Sequence, residues 1–251
     1  MIKASMKILV IEFAYIGDTL LTTPFLRALK EHHPYADITF LASSPSAEVL
    51  DTNPHLKQVL AFDKRSGLKG IFNALRFLRR EKFDMAFVLH RSFKSALLAA
   101  LAGIPVRIGY ATEGRHNLLT HAIPYHPKDH RAENHLALFQ YYRLHHPRKE
   151  FGPLGGTWQH AADPDNPVPP LRDLELPVPD DLANSVKEKF LQGVGDYFVL
   201  NPGGSWPTKR WLADRFAEVG NRLLAEKKWT PVVVGGPNDR WLEVGKGAID
   251  L

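Results

Sequence analysis

Apolar residues recur along this chain in two alternating periods. Residues 8–13 (ILVIEF) form a short, largely β-branched run, as expected of a strand buried on both faces. After Gly17, TLLTTPFLRALKEHH places Leu20, Leu21, Pro24, Phe25, Ala28 and Leu29 at helical spacing. Pro24 falls in the first two turns of that helix, where a missing N–H costs least. The same reading predicts strands over 38–42 and 58–62 and a helix with a basic outer face over 68–80. It then predicts a strand over 84–89, a helix over 92–101, a strand over 106–110 and a helix over 133–144. Repeated βα units with short connections predict an α/β fold with a parallel, doubly wound sheet.

Residues 145–180 break the pattern. They are dense in Pro and Gly without sustained periodicity, which reads as a linker or a long surface connection. The α/β pattern then restarts, with a helix over 181–191, a strand over 197–200, a helix over 212–227 and a strand over 231–234. Three regions follow: an N-terminal α/β domain over 1–150, a Pro/Gly-rich linker over 151–180, and a second α/β domain over 181–251.

Composition narrows the picture. Of 251 residues, 44% are hydrophobic and 24% charged, an ordinary globular mix that argues against wholesale disorder. Cysteine is absent, which removes thiol nucleophiles, Cys-based zinc sites and disulfides. The net charge of +5 suits anionic ligands and is too mild to indicate nucleic acid. No run approaches the roughly 18 apolar residues of a membrane span, and Glu12 and Asp18 interrupt the signal-like N-terminus. A cytoplasmic protein is the expectation. The 12 histidines show no compact metal-ligand spacing, so no bound metal is expected.

Four segments carry candidate chemistry. In a parallel sheet, the loop leaving a strand's C-terminal end opens into the ligand crevice. The segment Ala14-Tyr15-Ile16-Gly17-Asp18-Thr19 is such a loop. Asp18 there suits either a helix N-terminal charge or a general base. In NPGGSWPTKR, Gly203 and Gly204 let backbone N–H groups approach an anion. Ser205 and Thr208 add hydroxyls, Lys209 and Arg210 add charge, and a helix follows, which together suit a diphosphate. The spacing matches neither a Walker A loop nor GxGxxG. Asp239, after VVVGGPN, is either part of a plain turn or a ribose contact. In LHRSFKS, Arg91 and Lys94 are candidates for an anionic acceptor. Arg107, Arg115 and His116 are further basic candidates on later loops, and for any one of these basic residues a solvated surface role is the simpler reading.

Taken in order, these segments resemble glycosyltransferase family 9, the bacterial heptosyltransferases. KILVIEFAYIGDTLLTTPFLRALKEHHP resembles the family's opening strand, Ile-Gly-Asp segment and TTP helix. LHRSFKSALLAALAGIPVRIGY, NPGGSWPTKRWLADRFAEVGNRLL and VVVGGPND are similar to three later family segments. The resemblance implies a GT-B architecture of two Rossmann-like domains, with acceptor on the first and nucleotide-sugar on the second. It implies inverting transfer of heptose from ADP-heptose to the lipopolysaccharide inner core or a lipid A–Kdo acceptor, without cofactor or metal. Asp18 then matches the general base, with Gly17, Thr19, Arg91 and Lys94 on the acceptor side. Gly203, Gly204, Ser205, Thr208 and Lys209 match the diphosphate segment, with Lys209 also stabilising the leaving ADP. Asp239 lies near the nucleoside position.

The family also has a D-x-G-x-x-H segment, which is not found before residue 251. The 74 residues from Val178 to Leu251 hold only two or three strands, since a βαβ unit takes about 30 residues. The second domain therefore reads as incomplete and the chain as C-terminally truncated. Two functions follow: a heptosyltransferase, or a non-catalytic glycolipid- or nucleotide-binding module. The basic helix around Arg76, Arg79 and Arg80 adds an expected peripheral contact with anionic membrane.

Overall fold

A computed structural model describes residues 5–63, 67–145, 174–204, 207–236 and 248–250. The chain divides into two compact units, Met1–Pro177 and Val178–Leu251.

The first unit is built on a parallel six-stranded sheet in the order β3-β2-β1-β4-β5-β6. Its strands are β1 (Lys7–Glu12), β2 (Asp37–Ser43), β3 (Gln58–Phe62), β4 (Met85–Val88), β5 (Val106–Tyr110) and β6 (His121–Ile123). The continuous apolar runs serve both faces. Ile8 and Val10 of β1 join one core with Ile38, Phe40 and Phe87, while Leu9 and Ile11 join the other with Leu41, Ala86 and Val88. Helices α2 (Thr23–His32) and α6 (Arg131–His145) cover the first face, α4 (Gly67–Glu81) and α5 (Phe93–Leu101) the second. The direction of winding reverses between β1 and β4, so the loops that leave these two strands diverge at the switch point.

The helix expected across TLLTTPFLRALKEHH is two helices: α1 (Ile16–Leu20) and α2. Pro24 lacks a donor and sits in the first turn of α2 rather than inside one longer helix. The Thr22 and Thr23 hydroxyls donate to the carbonyls of Thr19 (2.7 Å) and Leu20 (2.9 Å) across the break. Periodicity also missed the short helix α3 (Ser44–Ala47) and strand β6, both too brief to show a period.

Residues 174–177 are stitched to the first unit. The Glu175 carboxylate meets Arg27 Nη1 at 2.6 Å and His55 Nε2 at 2.7 Å, and the Glu175 N–H donates to Thr23 Oγ1. The Thr52 hydroxyl donates to the Pro177 carbonyl at 2.6 Å.

The second unit contains α7 (Asp180–Phe190), then β7 (Tyr197–Leu200), α8 (Ala213–Lys227), β8 (Thr230–Val233) and β9 (Ile249–Asp250). Its strands form a parallel sheet in the order β7-β8-β9. Leu200, Val232 and Val233 are buried, whereas α7 buries none of its residues. No helix among the described residues is long and apolar enough to cross a membrane.

Candidate active site

The C-terminal end of β1 places a carboxylate on each side of one guanidinium. Glu12, the last residue of β1, is fully buried, and Asp18 follows in α1. Arg131, the first residue of α6, reaches both: its Nη2 lies 3.3 Å from Glu12 Oε2 and its Nη1 3.2 Å from Asp18 Oδ2. Asp18 keeps 33% of its side chain exposed, so its carboxylate is accessible from outside while ion-paired within. Burial pushes the Glu12 carboxyl up to about 7, against the pull of Arg131. Thr19 is buried with its Oγ1 unpartnered, and Gly17 is exposed with open space where a side chain would stand.

A second polar group lies at the ends of β4 and β5. Arg115 was expected as a solvated residue, yet it is fully buried. Its guanidinium donates to the carbonyls of Tyr110 (2.8 Å), His90, Ser92 (3.1 Å) and Val88 (3.4 Å) and to Ser95 Oγ. A planar five-donor fork can satisfy several loop carbonyls that helix and sheet leave unpaired, and for that reason the charge tolerates burial. Burial lowers its proton affinity to about 10, still well above neutrality. Arg107 is likewise taken up structurally, donating to the Leu118 carbonyl at 2.7 Å and to that of Ile104.

The loop so braced carries Arg91, exposed, its guanidinium 4.2 Å from the centre of the Tyr125 ring. Lys94 is exposed one helical turn further on, in α5. Asp18, in the first turn of α1, and Arg91, on the loop before α5, thus follow the two strands that flank the reversal, β1 and β4. Next to them, Tyr110 Oη and His135 Nδ1 form a buried hydrogen bond of 2.8 Å. Burial, with Arg131 and Arg91 nearby, holds the His135 imidazole down at about 3, so it is neutral.

In the second unit, Gly203 and Gly204 follow β7 and are partly buried. Arg210 Nε donates to the Gly204 carbonyl at 2.9 Å, which closes the loop on itself. Thr208 and Lys209 are exposed in a short 3-10 turn, Pro207–Lys209. Helix α8 begins at Ala213, so the turn and not the helix start carries these two side chains. Ser205 and Asp239 lie outside the described residues. Among the described residues, no group of three or more His, Asp or Glu side chains gathers in a way that could hold a metal ion.

Two parallel α/β units, each with candidate groups on the loops leaving its strands, are a common arrangement, and a family profile decides between its users. The profile described as glycosyltransferase family 9 (heptosyltransferase) matches residues 71–247. The chain belongs to glycosyltransferase family 9. A family 9 glycosyltransferase from Veillonella parvula superposes with a TM-score of 0.76 at 20% identity, over 99% of this chain and 70% of that one. The Escherichia coli ADP-heptose lipopolysaccharide heptosyltransferase II superposes with a TM-score of 0.74 at 25% identity, over 93% and 66%. These likenesses identify the fold as the α/β, GT-B type. Lipopolysaccharide heptosyltransferase 2 of Salmonella typhimurium is 35% identical over 120 residues, 47% of this chain and 34% of that protein. The chain therefore spans about a third of the length of that family 9 relative in the matched stretch.

Glu12 and Arg131 were not singled out from sequence. A lone Glu in an apolar strand reads as a solvated interruption, and nothing local links it to a residue 119 positions away.

Proposed function

We propose that this chain is a heptosyltransferase of lipopolysaccharide assembly, taking heptose from ADP-heptose to an inner-core or lipid A–Kdo acceptor with inversion at the anomeric carbon. The observation that carries this reading is the placement of Asp18: a partly exposed carboxylate, held by Arg131, in the first turn of α1 just after β1 at the switch point. In the transfer, the acceptor hydroxyl oxygen attacks the anomeric carbon while the bond from that carbon to the diphosphate oxygen breaks. Asp18 takes the hydroxyl proton, and the electron pair of the broken bond leaves on ADP. Arg91 and Lys94, both exposed, receive the anionic acceptor, with Gly17 leaving room beside Asp18 and Thr19 behind it.

Gly203, Gly204, Ser205, Thr208 and Lys209 bind the diphosphate, and Lys209 offsets the charge that grows on the departing ADP. Asp239 contacts the nucleoside. The family 9 match over residues 71–247 and the likeness to a heptosyltransferase named for ADP-heptose support the donor assignment. On this reading the protein works in the cytoplasm, at the inner face of the membrane that carries its acceptor.

The test is release of ADP on incubation with ADP-heptose and a lipid A–Kdo or heptose-deficient core acceptor. Replacing a general base costs about 10²–10⁴-fold in rate, so Asp18→Asn is expected to fall in that range with acceptor binding retained. Unchanged ADP release in Asp18→Asn removes the role of Asp18. Acceptor binding without ADP-heptose binding, read by calorimetry, would replace the transferase with a binding module.

A further inference from the structure

Arg131 spends one guanidinium on two carboxylates. A guanidinium fork matches a single carboxylate with two parallel N–H donors, its strongest arrangement. Here Nη2 goes to Glu12 and Nη1 to Asp18, one contact each. The two acceptors are unequal. Asp18 faces outward, whereas Glu12 is fully buried and its Oε1 has no hydrogen-bond partner. A second buried carboxylate with a bare oxygen is a poor way to stabilise a fold, because the desolvation of an ion is only partly repaid by a shared partner. The arrangement makes sense if the sharing itself matters.

Resting on the reading of Asp18 as the acceptor's proton receiver, we propose that Arg131 is the positioning residue of Asp18 and that Glu12 sets how much of the guanidinium Asp18 receives.

Among the described residues, the charged and titratable groups facing Glu12 are Arg131 from α6, Asp18 from α1, Tyr110 from β5 and Arg115 from the turn that follows it, with a backbone hydrogen bond at Phe13. Burial raises the tyrosine well above its ordinary range and leaves Arg115 charged, whereas it brings Glu12 to a change of charge near neutral pH. When Glu12 is protonated, the full guanidinium charge stands opposite Asp18 and favours the unprotonated carboxylate. When Glu12 ionises, the guanidinium is divided and a second negative charge stands near Asp18. A carboxylate whose cationic partner is shared binds a proton more readily. Ionisation of Glu12 thus makes Asp18 the better base while Arg131 keeps it aimed. Because burial raises the Glu12 carboxyl to about 7, the change falls close to neutrality.

The experiment is a ¹³C-detected titration of the Glu12 side-chain carboxyl in the full chain, in wild type, Asp18→Asn, Arg131→Lys and Arg131→Met. Asn imitates protonated Asp18 in shape and charge, and Lys retains the charge without the fork. The Glu12 midpoint is expected to move down by about half a pH unit or more in Asp18→Asn and up in Arg131→Met, with Arg131→Lys between wild type and Arg131→Met. A Glu12 midpoint unmoved in Asp18→Asn overturns the proposal. So does a Glu12 carboxyl that titrates in its ordinary range.

The kinetic counterpart is the pH profile of kcat/KM for ADP release. Wild type should rise across the Glu12 midpoint, and Glu12→Gln should lose that rise and run about three- to tenfold lower at pH 8. The two readouts separate the two ideas. Coupled titration with no ADP formed by any variant sinks the transferase reading and leaves the coupling standing. ADP formed by wild type with the Glu12 midpoint indifferent to Asp18→Asn sinks the coupling alone.

Discussion

At the residue scale, three buried positions hold strongly constrained chemistry. Glu12 binds its proton more tightly in the folded chain, at about 7, than at its ordinary 4.5. Its contribution to stability is therefore complete below pH 4.5 and is lost as pH rises through 7. The loss is on the order of 3 kcal/mol, and Glu12→Gln should abolish it, seen as a flatter dependence of the urea midpoint on pH between 5 and 8. His135 works in the opposite direction. Its imidazole titrates at about 3 against an ordinary 6.5, so stability is full above pH 6.5 and lost as pH falls toward 3. In the same measurement, His135→Phe should remove that acid-side loss. Gly109 is required by close approach: a Cβ there would stand 2.9 Å from the Val88 carbonyl oxygen of the neighbouring strand and 3.3 Å from Leu119. Gly109→Ala should cost about 1–3 kcal/mol by overpacking, measurable by chemical denaturation; a cost within error would mean that β4 and β5 separate freely.

At the scale of elements, α4 combines two faces. Leu78 is buried and Leu75 and Phe77 pack on the second core, while Ile71, Phe72, Arg76, Arg79 and Arg80 are exposed. Arg79 Nε also donates to the Leu101 carbonyl. Exposed apolar residues beside basic ones suit an anionic lipid surface, with about 1 kcal/mol for each basic residue near it. Co-sedimentation with vesicles containing anionic lipid should fall with rising salt. The double change Arg76→Ser and Arg80→Ser should weaken binding roughly thirtyfold; equal binding to neutral vesicles would end the idea. The elements themselves were largely legible. The strand pattern of β1, β2 and β4 follows from apolar runs that feed both cores. The break between α1 and α2 was not, because Thr22 and Thr23 satisfy backbone carbonyls that periodicity alone assigns to a continuous helix.

At the scale of the whole molecule, the chain divides into two compact units, each built on its own sheet. The first owns a two-sided core around its sheet, and Glu175 and Pro177 are anchored to it. A fragment of residues 1–177 should therefore unfold in a single cooperative transition; a broad, non-cooperative melt would show that it needs the second unit. Glu175→Gln removes one charge from both Arg27 and His55, and should speed proteolytic cleavage just after the first unit without lowering its melting temperature by more than a few degrees.

The alternation of apolar runs and helical stripes determined the α/β class by itself, since a parallel sheet must hide both faces and its helices one. The ordered motifs also pointed to the family and singled out Asp18 as a candidate, because those residues are adjacent in sequence. The partners of Asp18 were decided only in three dimensions. Arg131 lies 119 residues from Glu12 and on a different helix from Asp18, and only the parallel winding of the sheet carries α6 back to the end of β1. Arg115 makes the same point: as a loop arginine it reads as solvated, and it is buried because the carbonyls left open at the ends of β4 and β5 converge on it. Local pattern reports which face of an element is apolar, whereas convergence of polar atoms from distant segments depends on how the elements are wound.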